Sequence, residues 1–230
     1  MEREMEGEAM PVNKVAYKQI IADLDSHQVT LVAVSKTKSI AEIKEVYDLG
    51  QRDFGENYVQ ELAEKQLHLP KDIRWHFIGH LQTNKVKQIA SFIHLVQSVD
   101  SLKLLQEINK QAQRNNRIID CLLQVHIAQE ETKFGFDQRE LAQIMDNMST
   151  LSLANIRIRG LMGMASFTDD LEKLRKEFQY LKSLFGKLIT HNSQLITLSM
   201  GMSGDYHIAI EEGSTMVRIG SLIFGARQTH

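Results

Sequence analysis

The sequence predicts a single (β/α)8 barrel of the TIM type with one additional helix at its N-terminal end. Three observations lead there. Eight apolar runs of strand length alternate with longer segments of helical period. That order demands parallel strands joined by helical crossovers, and eight such units close more readily than they form an open sheet. At 230 residues and 43% hydrophobic content, the chain has the length of one barrel and the apolar mass for its core. The turn after the first strand reads Ser35-Lys36-Thr37, so the G-x-G-x-x-G fingerprint of an open, doubly wound nucleotide-binding sheet is missing there.

In chain order, a helix at roughly 13–24 leads into the first strand, VTLVAVS at 29–35, an apolar run of strand length. The helical period of 40–49 carries the chain to RDFGE at 52–56, and that of 58–68 carries it to RWHFIG at 74–79. A short helical segment at 85–90 precedes FIHLVQSV at 92–99, and a longer one at 102–113 precedes IIDCLLQVHI at 118–127. Residues 138–148 form the next helix, followed by IRIRGLMGM at 156–164, a long helix at 170–188 and QLITLSMG at 194–201. A helix at 206–212 separates that strand from the eighth, TMVRIG at 215–220, after which LIFGAR again looks helical. Only two prolines occur, Pro11 and Pro70, and no Gly/Ser-rich linker breaks the alternation, so residues 1–230 read as one domain.

Composition narrows the function. The formal net charge is −2 and the basic residues are scattered among acidic ones, so no basic face recommends nucleic acid. The one cysteine, Cys121, rules out an intrachain disulfide and a Cys-rich metal site, and it points to a reducing compartment. Inside IIDCLLQV it reads as a small buried hydrophobe. Nine histidines show no H-E-x-x-H or comparable spacing, so no metal is expected. The N-terminus, MEREMEGEAM, is acidic and lacks the long apolar stretch of a targeting or membrane-spanning segment. The expectation is a soluble, cytoplasmic protein and, with no coiled-coil seam, a monomer.

In a barrel, functional groups gather where strands end and loops begin. That rule collects Lys36 from the first strand, Glu56 and Asn57 from the second, and Gly79 and His80 from the third. It adds Met200 to Ser203 from the seventh and Arg218 to Ser221 from the eighth. Strands one and eight are neighbours in a closed barrel, so Lys36 and Arg218 are expected across one small pocket. An amine at the end of a buried strand is either paired or chemically used, because desolvating an ammonium is expensive. Lys36 is therefore a candidate Schiff-base nucleophile, a lysine reaching out to solvent being the plain alternative.

The turn R-I-G-S enters a helical segment, where free backbone N–H groups and the helix dipole favour a phosphate dianion. Gly220 and Ser221 would floor that site and Ser203 would donate from its side chain, an ordinary N-cap being the alternative. His76, beside Trp75 in a strand, reads as a hydrogen-bonded core residue, while His80 borders the pocket as either a structural or a ligand-contacting group. An aldehyde-bearing, phosphorylated, planar ligand uses amine, arginine and anion site together, and pyridoxal 5′-phosphate (PLP) is such a ligand.

LVAVSKTKS at 31–39, FGENYVQEL at 54–62, WHFIGHLQTNK at 75–85, SVDS at 98–101, RGLMGM at 159–164 and the block from LSMGMSGDYH to LIFGAR at 198–227 carry a resemblance. They resemble the pyridoxal-phosphate homeostasis protein family, whose fold is similar to the N-terminal barrel of alanine racemase. The resemblance runs in family order over nearly the full chain. It implies that Lys36 is the Schiff-base lysine and that Arg218 faces the pyridine nitrogen. It also implies that Asn57 and Met200 lie near the ring, and that Ser203, Gly220 and Ser221 hold the phosphate. Glu130, Glu131 and Lys133 match a family loop motif, for which a solvated ion pair is the alternative. Three departures stand out: Ser221 where threonine is commoner, His126 where asparagine is commoner, and Ala165 and Ser166 where a proline usually soon follows RGLMGM.

Arginine only donates and stays charged, so opposite the ring nitrogen it leaves that nitrogen unprotonated and the electron sink weak. Alanine racemase, similar in its barrel, adds an acid/base residue from a second domain, and only Gln228, Thr229 and His230 follow FGAR here. The resemblance therefore implies a PLP carrier acting in vitamin B6 homeostasis, holding PLP as an exchangeable Schiff base, with PLP-accepting apoenzymes as partners and neither nucleic acid nor membrane. A racemase-like PLP enzyme and a lysine-dependent aldolase are the competing readings.

Overall fold

The computed structural model describes residues 12–128, 134–147, 151–190 and 194–226. Eight parallel strands close into a barrel in sequential order: β1 (Thr30–Val34), β2 (Asp53–Glu56), β3 (Arg74–Phe77), β4 (Leu95–Val99), β5 (Ile119–Val125), β6 (Ile156–Gly163), β7 (Thr197–Met202) and β8 (Met216–Ile219). Closure sets Val32 of β1 opposite Arg218 of β8. Around the barrel run α1 (Lys14–His27), α2 (Ile40–Asp48), α3 (Val59–His68), α4 (Leu102–Arg114), α5 (Gln138–Asp146), α6 (Leu171–Ile189), α7 (Tyr206–Glu211) and α8 (Ser221–Phe224). The eight-stranded barrel and the additional N-terminal helix are those the sequence predicts.

Helix starts follow capping chemistry. Ser39 and Glu42 form a capping box at α2, Asp137 and Glu140 form one at α5, and Asn13 and Asp170 accept N–H groups at the starts of α1 and α6. The helix expected at 85–90 is instead a 3-10 helix, Thr83–Gln88, burying only Val86. A segment this short offers too small an apolar face to offset the cost of nucleating an α-helix. Met148, at the end of the expected fifth crossover helix, and the loop motif of Glu130, Glu131 and Lys133 lie outside the described residues. No helix among the described residues is long and apolar enough to cross a membrane.

Strand alternation divides the core in two. On β1, Leu31 and Ala33 face the helices in the larger apolar cluster, while Val32 faces the barrel axis with Leu95, Leu122, Met162 and Met216. Cys121 is fully buried, and burial pushes its thiol pKa up, so it is an inert core residue.

A chain of polar side chains threads the axis. Arg74 forks onto the Asp53 carboxylate, His76 Nε2 lies 3.0 Å from Asp53 Oδ1, and Gln97 Nε2 lies 2.9 Å from His76 Nδ1. Ser199 Oγ donates to Gln97 Oε1 at 2.7 Å, and Arg218 Nη1 donates to Ser199 Oγ at 2.6 Å. Such a network is tolerated in a dry interior because each member is hydrogen-bonded. It joins the N-terminal pole, where Arg74 opens β3, to Arg218 under the opposite mouth.

Burial alone would raise the Asp53 pKa, but hydrogen bonds from Arg74 and His76 outweigh it and hold the carboxyl well below the usual carboxylate range. A depressed folded pKa contributes stability above the unfolded value and loses it as pH falls toward the folded one. Stability measured by denaturant titration is thus expected to decline as pH drops below about 4. Asp53→Asn should remove its part of that slope, and an unchanged slope would contradict the assignment.

Candidate functional site

The first crossover begins with a turn in an unusual backbone state. Lys36 lies two residues beyond β1 rather than closing it, and Thr37, the next residue, sits in the left-handed region at φ 64°. Neighbouring elements hold that turn. Ser35 N–H donates to the Gly55 carbonyl at 3.0 Å, and Ser35 Oγ donates to Glu56 Oε1 at 2.6 Å. Lys65 Nζ, from α3, donates to the Ser35 carbonyl at 2.7 Å, to Glu56 Oε1 at 2.8 Å and to Glu61 Oε1 at 2.5 Å. Thr37 N–H donates to Glu61 Oε1 at 2.6 Å.

Lys36 opens onto a cavity of about 640 Å3 at the C-terminal mouth of the barrel, within the ~300–1,000 Å3 range of small-molecule sites. Asn57, Ser203, Arg218, Gly220 and Ser221 line the same cavity, so six of the seven residues singled out in the sequence meet there. Val34, Ile78, Met164 and Met202 supply apolar wall. Three basic lining side chains, Lys36, Lys38 and Arg218, stand against two acidic ones, Asp169 and Asp205, which favours an anionic ligand.

Arg218 is the cavity's most deeply held cation. Its guanidinium is buried, donating to Ser199 Oγ and, at 2.9 Å, to the Gly163 carbonyl. Burial pushes its pKa down to about 10, with Asp205 acting in the opposite direction, so it stays charged at neutral pH. Gly220 N–H donates to Ser203 Oγ at 3.3 Å, and α8 begins at Ser221, with the Ile223 and Phe224 N–H groups both donating to the Gly220 carbonyl at 2.9 Å and those of Ser221 and Leu222 preceding the first helical hydrogen bond. Asn57 Oδ1 is buried without a hydrogen-bond partner. Gly79 permits the approach that places Asn57, since a Cβ there would fall 2.3 Å from the Asn57 carbonyl oxygen.

Placement differs from expectation at several positions. Met200 is fully buried among the residues facing the helices and does not line the cavity, where Met202 lies instead. The register of β7 against β8 shifts between Ser199 and Met202, and Gly201 within that bulge has φ +97°. A side chain at Gly201 would meet Ala209 Cβ at 2.6 Å as well as an unfavourable backbone state. The extra residue swaps the alternation, so Met202, paired with Arg218, turns to the mouth. Met200 to Met202 and Arg218 belong to their strands rather than following them. Glu56 ends β2 fully buried and bonds to Ser35 and Lys65, away from the cavity lining.

His76 is the hydrogen-bonded core residue expected. His80 does not line the cavity; its Nδ1 lies 2.9 Å from Asp100 Oδ2 and its ring stacks on Phe134. The fold also gathers Asp53, His76 and His94, whose ligand atoms lie within 4.8 Å of one another at the pole opposite the cavity, a grouping the sequence spacing does not announce. Arg74 engages both Asp53 oxygens there. Lys65 and Glu61, which hold the Lys36 turn from outside the cavity, are not singled out by the sequence. Their i,i+4 spacing is visible in the sequence, but its direction toward the Lys36 turn is not.

The donor set fits a phosphorylated aldehyde. An amine, a buried guanidinium, a small-residue turn opening a helix and an orphaned polar atom of Asn57 share one cavity of suitable size.

Over residues 15–228 the chain matches the family of the alanine racemase N-terminal domain. It is 42% identical to the pyridoxal phosphate homeostasis protein of Aquifex aeolicus over 200 residues, covering 86% of this chain and 87% of that one. PipY of Synechococcus elongatus PCC7942, solved with PLP bound, superposes with a TM-score of 0.80 at 34% identity, over 92% of this chain and 100% of that one. Alanine racemase from Clostridium difficile 630 shares the fold, with a TM-score of 0.75 at 15% identity over 95% of this chain and 62% of the enzyme.

Proposed function

This chain belongs to the pyridoxal phosphate homeostasis protein family, and on that premise we propose that it holds PLP as an exchangeable Schiff base on Lys36. In this reading it serves vitamin B6 homeostasis without efficient turnover of amino acids. The observation that carries the reading is the meeting of Lys36, Arg218 and the β8–α8 turn in one cavity. When bound, PLP supplies a reactive aldehyde conjugated to an electron-withdrawing ring. Lys36 would supply the amine for that aldehyde, its two hydrogens and the aldehyde oxygen leaving as water, so no redox partner is needed.

Ser203, Gly220 and Ser221 would hold the phosphate through hydroxyl and backbone N–H groups, and Arg218 would add the charge that favours a dianion. Asn57, whose Oδ1 has no other hydrogen-bond partner, would lie near the ring. Arg218, already donating to Ser199 and Gly163, would offer the ring nitrogen only N–H hydrogen bonds whose protons it keeps, leaving that nitrogen unprotonated. That choice of residue suits keeping the vitamin aldehyde rather than activating substrates. In this reading the chain acts as one PLP-binding unit, a cytoplasmic monomer that delivers PLP to apoenzymes.

Two measurements test this. The purified, PLP-loaded protein should show a visible absorption band that borohydride bleaches, and mass spectrometry should find the reduced adduct on Lys36. An adduct located elsewhere would refute the Lys36 assignment, and no adduct would refute the Schiff base. Exchange of amino-acid α-hydrogens in heavy water should run no faster than with free PLP; a markedly faster rate would establish the racemase-like alternative.

A further inference from the structure

We infer that Glu61, on α3, is a positioning residue for Lys36, acting through the Thr37 backbone rather than through contact with the ligand. The inference rests on the proposed role of Lys36 as the PLP-binding amine and adds what aims it. A non-glycine residue in the left-handed region is disfavoured, and it persists where the surroundings over-determine it. Here the surroundings are visible. Thr37 N–H is captured by Glu61 Oε1 at 2.6 Å, a charge-assisted hydrogen bond available only while the turn keeps this shape. On the other side of Lys36, the Ser35 carbonyl is held by Lys65 Nζ and its hydroxyl by Glu56.

Lys65 also fixes Glu61, so one ammonium sets the carboxylate that catches Thr37 and the carbonyl preceding Lys36. The backbone is therefore pinned on both flanks of the reactive residue by side chains that lie outside the cavity lining. The same strand–helix unit sends Asn57 into the cavity and Glu61 and Lys65 behind the turn, so α3 aligns amine and pocket together. Without Glu61 the turn can relax and swing the Lys36 amine off the line of approach, and misplacement on the order of 1 Å costs roughly 10- to 100-fold in rate.

The test compares wild type, Glu61→Ala and Glu61→Gln by stopped-flow absorbance on adding PLP to apoprotein. Affinity for pyridoxine 5′-phosphate, which has an alcohol in place of the aldehyde and cannot bond to Lys36, is measured in parallel, together with Tm. Glu61→Ala should slow Schiff-base formation about 10-fold or more while leaving pyridoxine 5′-phosphate affinity within about twofold. Glu61→Gln keeps an oxygen acceptor for Thr37 N–H but loses the ion pair with Lys65, so it should lose a similar amount of Tm and yet recover most of the rate. Equal rates in all three proteins, or a glutamine variant as slow as the alanine one, would overturn the positioning role. Absence of a borohydride-reducible adduct in wild type would instead refute the function on which it rests.

Discussion

Lys36→Ala is expected to abolish the borohydride-reducible adduct while leaving the barrel intact. The loss should be complete, because in this reading no other lining residue delivers the amine: Lys38 also borders the cavity, but its Nζ donates to the Phe224 carbonyl at 2.7 Å and lies 3.4 Å from Glu42. Lys36 is half-buried and stands in a turn whose backbone is secured by Ser35 and Thr37 contacts, so removing its side chain should change stability by only about 1 kcal/mol. For a chain of this size that is a Tm change of roughly 2–4 °C. Thermal unfolding and adduct yield therefore separate, and a variant that unfolds at room temperature would show that Lys36 is structural. Retained adduct would move the chemistry to another lysine.

The largest stability effect is expected at Lys65, beneath that turn. Its side chain is 6% exposed and the partnered Glu56 side chain 0%. Lys65→Met leaves Glu56 buried without its cation and Glu61 without its anchor, and breaking a buried pair in this way costs about 3–5 kcal/mol. Tm should fall by roughly 6–20 °C. Burial raises the Glu56 pKa, with Lys65 and Ser35 pulling it down, so loss of the ammonium raises it further.

A carboxyl whose folded pKa lies above its unfolded value disfavours folding at high pH and regains that stability as pH falls. The part of the Lys65→Met deficit that comes from the Glu56 charge should accordingly shrink as pH drops through the raised Glu56 value and be gone below the unfolded value of about 4.3. Adding Glu56→Gln should restore part of the loss at neutral pH, because the uncompensated charge is then gone. Urea titrations of the single and double variants across pH read this directly, and a pH-independent deficit would place the cost elsewhere.

These residues also show how far the sequence reaches. The barrel was legible because each crossover repeats one local pattern, an apolar strand followed by an amphipathic helix, and closure of eight such units puts β1 beside β8. Lys36 and Arg218 were legible as neighbours for the same reason. Met200 was misplaced because a bulge exchanges the two faces of a strand, and nothing in S-M-G-M-S records that Gly201 carries the extra residue. Glu56 was assigned to the mouth by its place at a strand end, yet the period of two that puts Asn57 into the cavity turns Glu56 outward to α3.

The sequence by itself determined the order of strands and helices, the closing of the barrel and the identity of the amine and guanidinium at its seam, because those follow from hydrophobic period and chain connectivity. Only the tertiary structure decided that Met202 rather than Met200 borders the cavity, that Glu61 and Lys65 brace the Lys36 turn, and that Ser199, Gln97, His76 and Asp53 link Arg218 to the opposite pole. Those outcomes depend on strand register and on which buried polar atoms find partners across the barrel. The partnership of Ser199 with Gln97 joins residues 102 positions apart, beyond the reach of any local pattern.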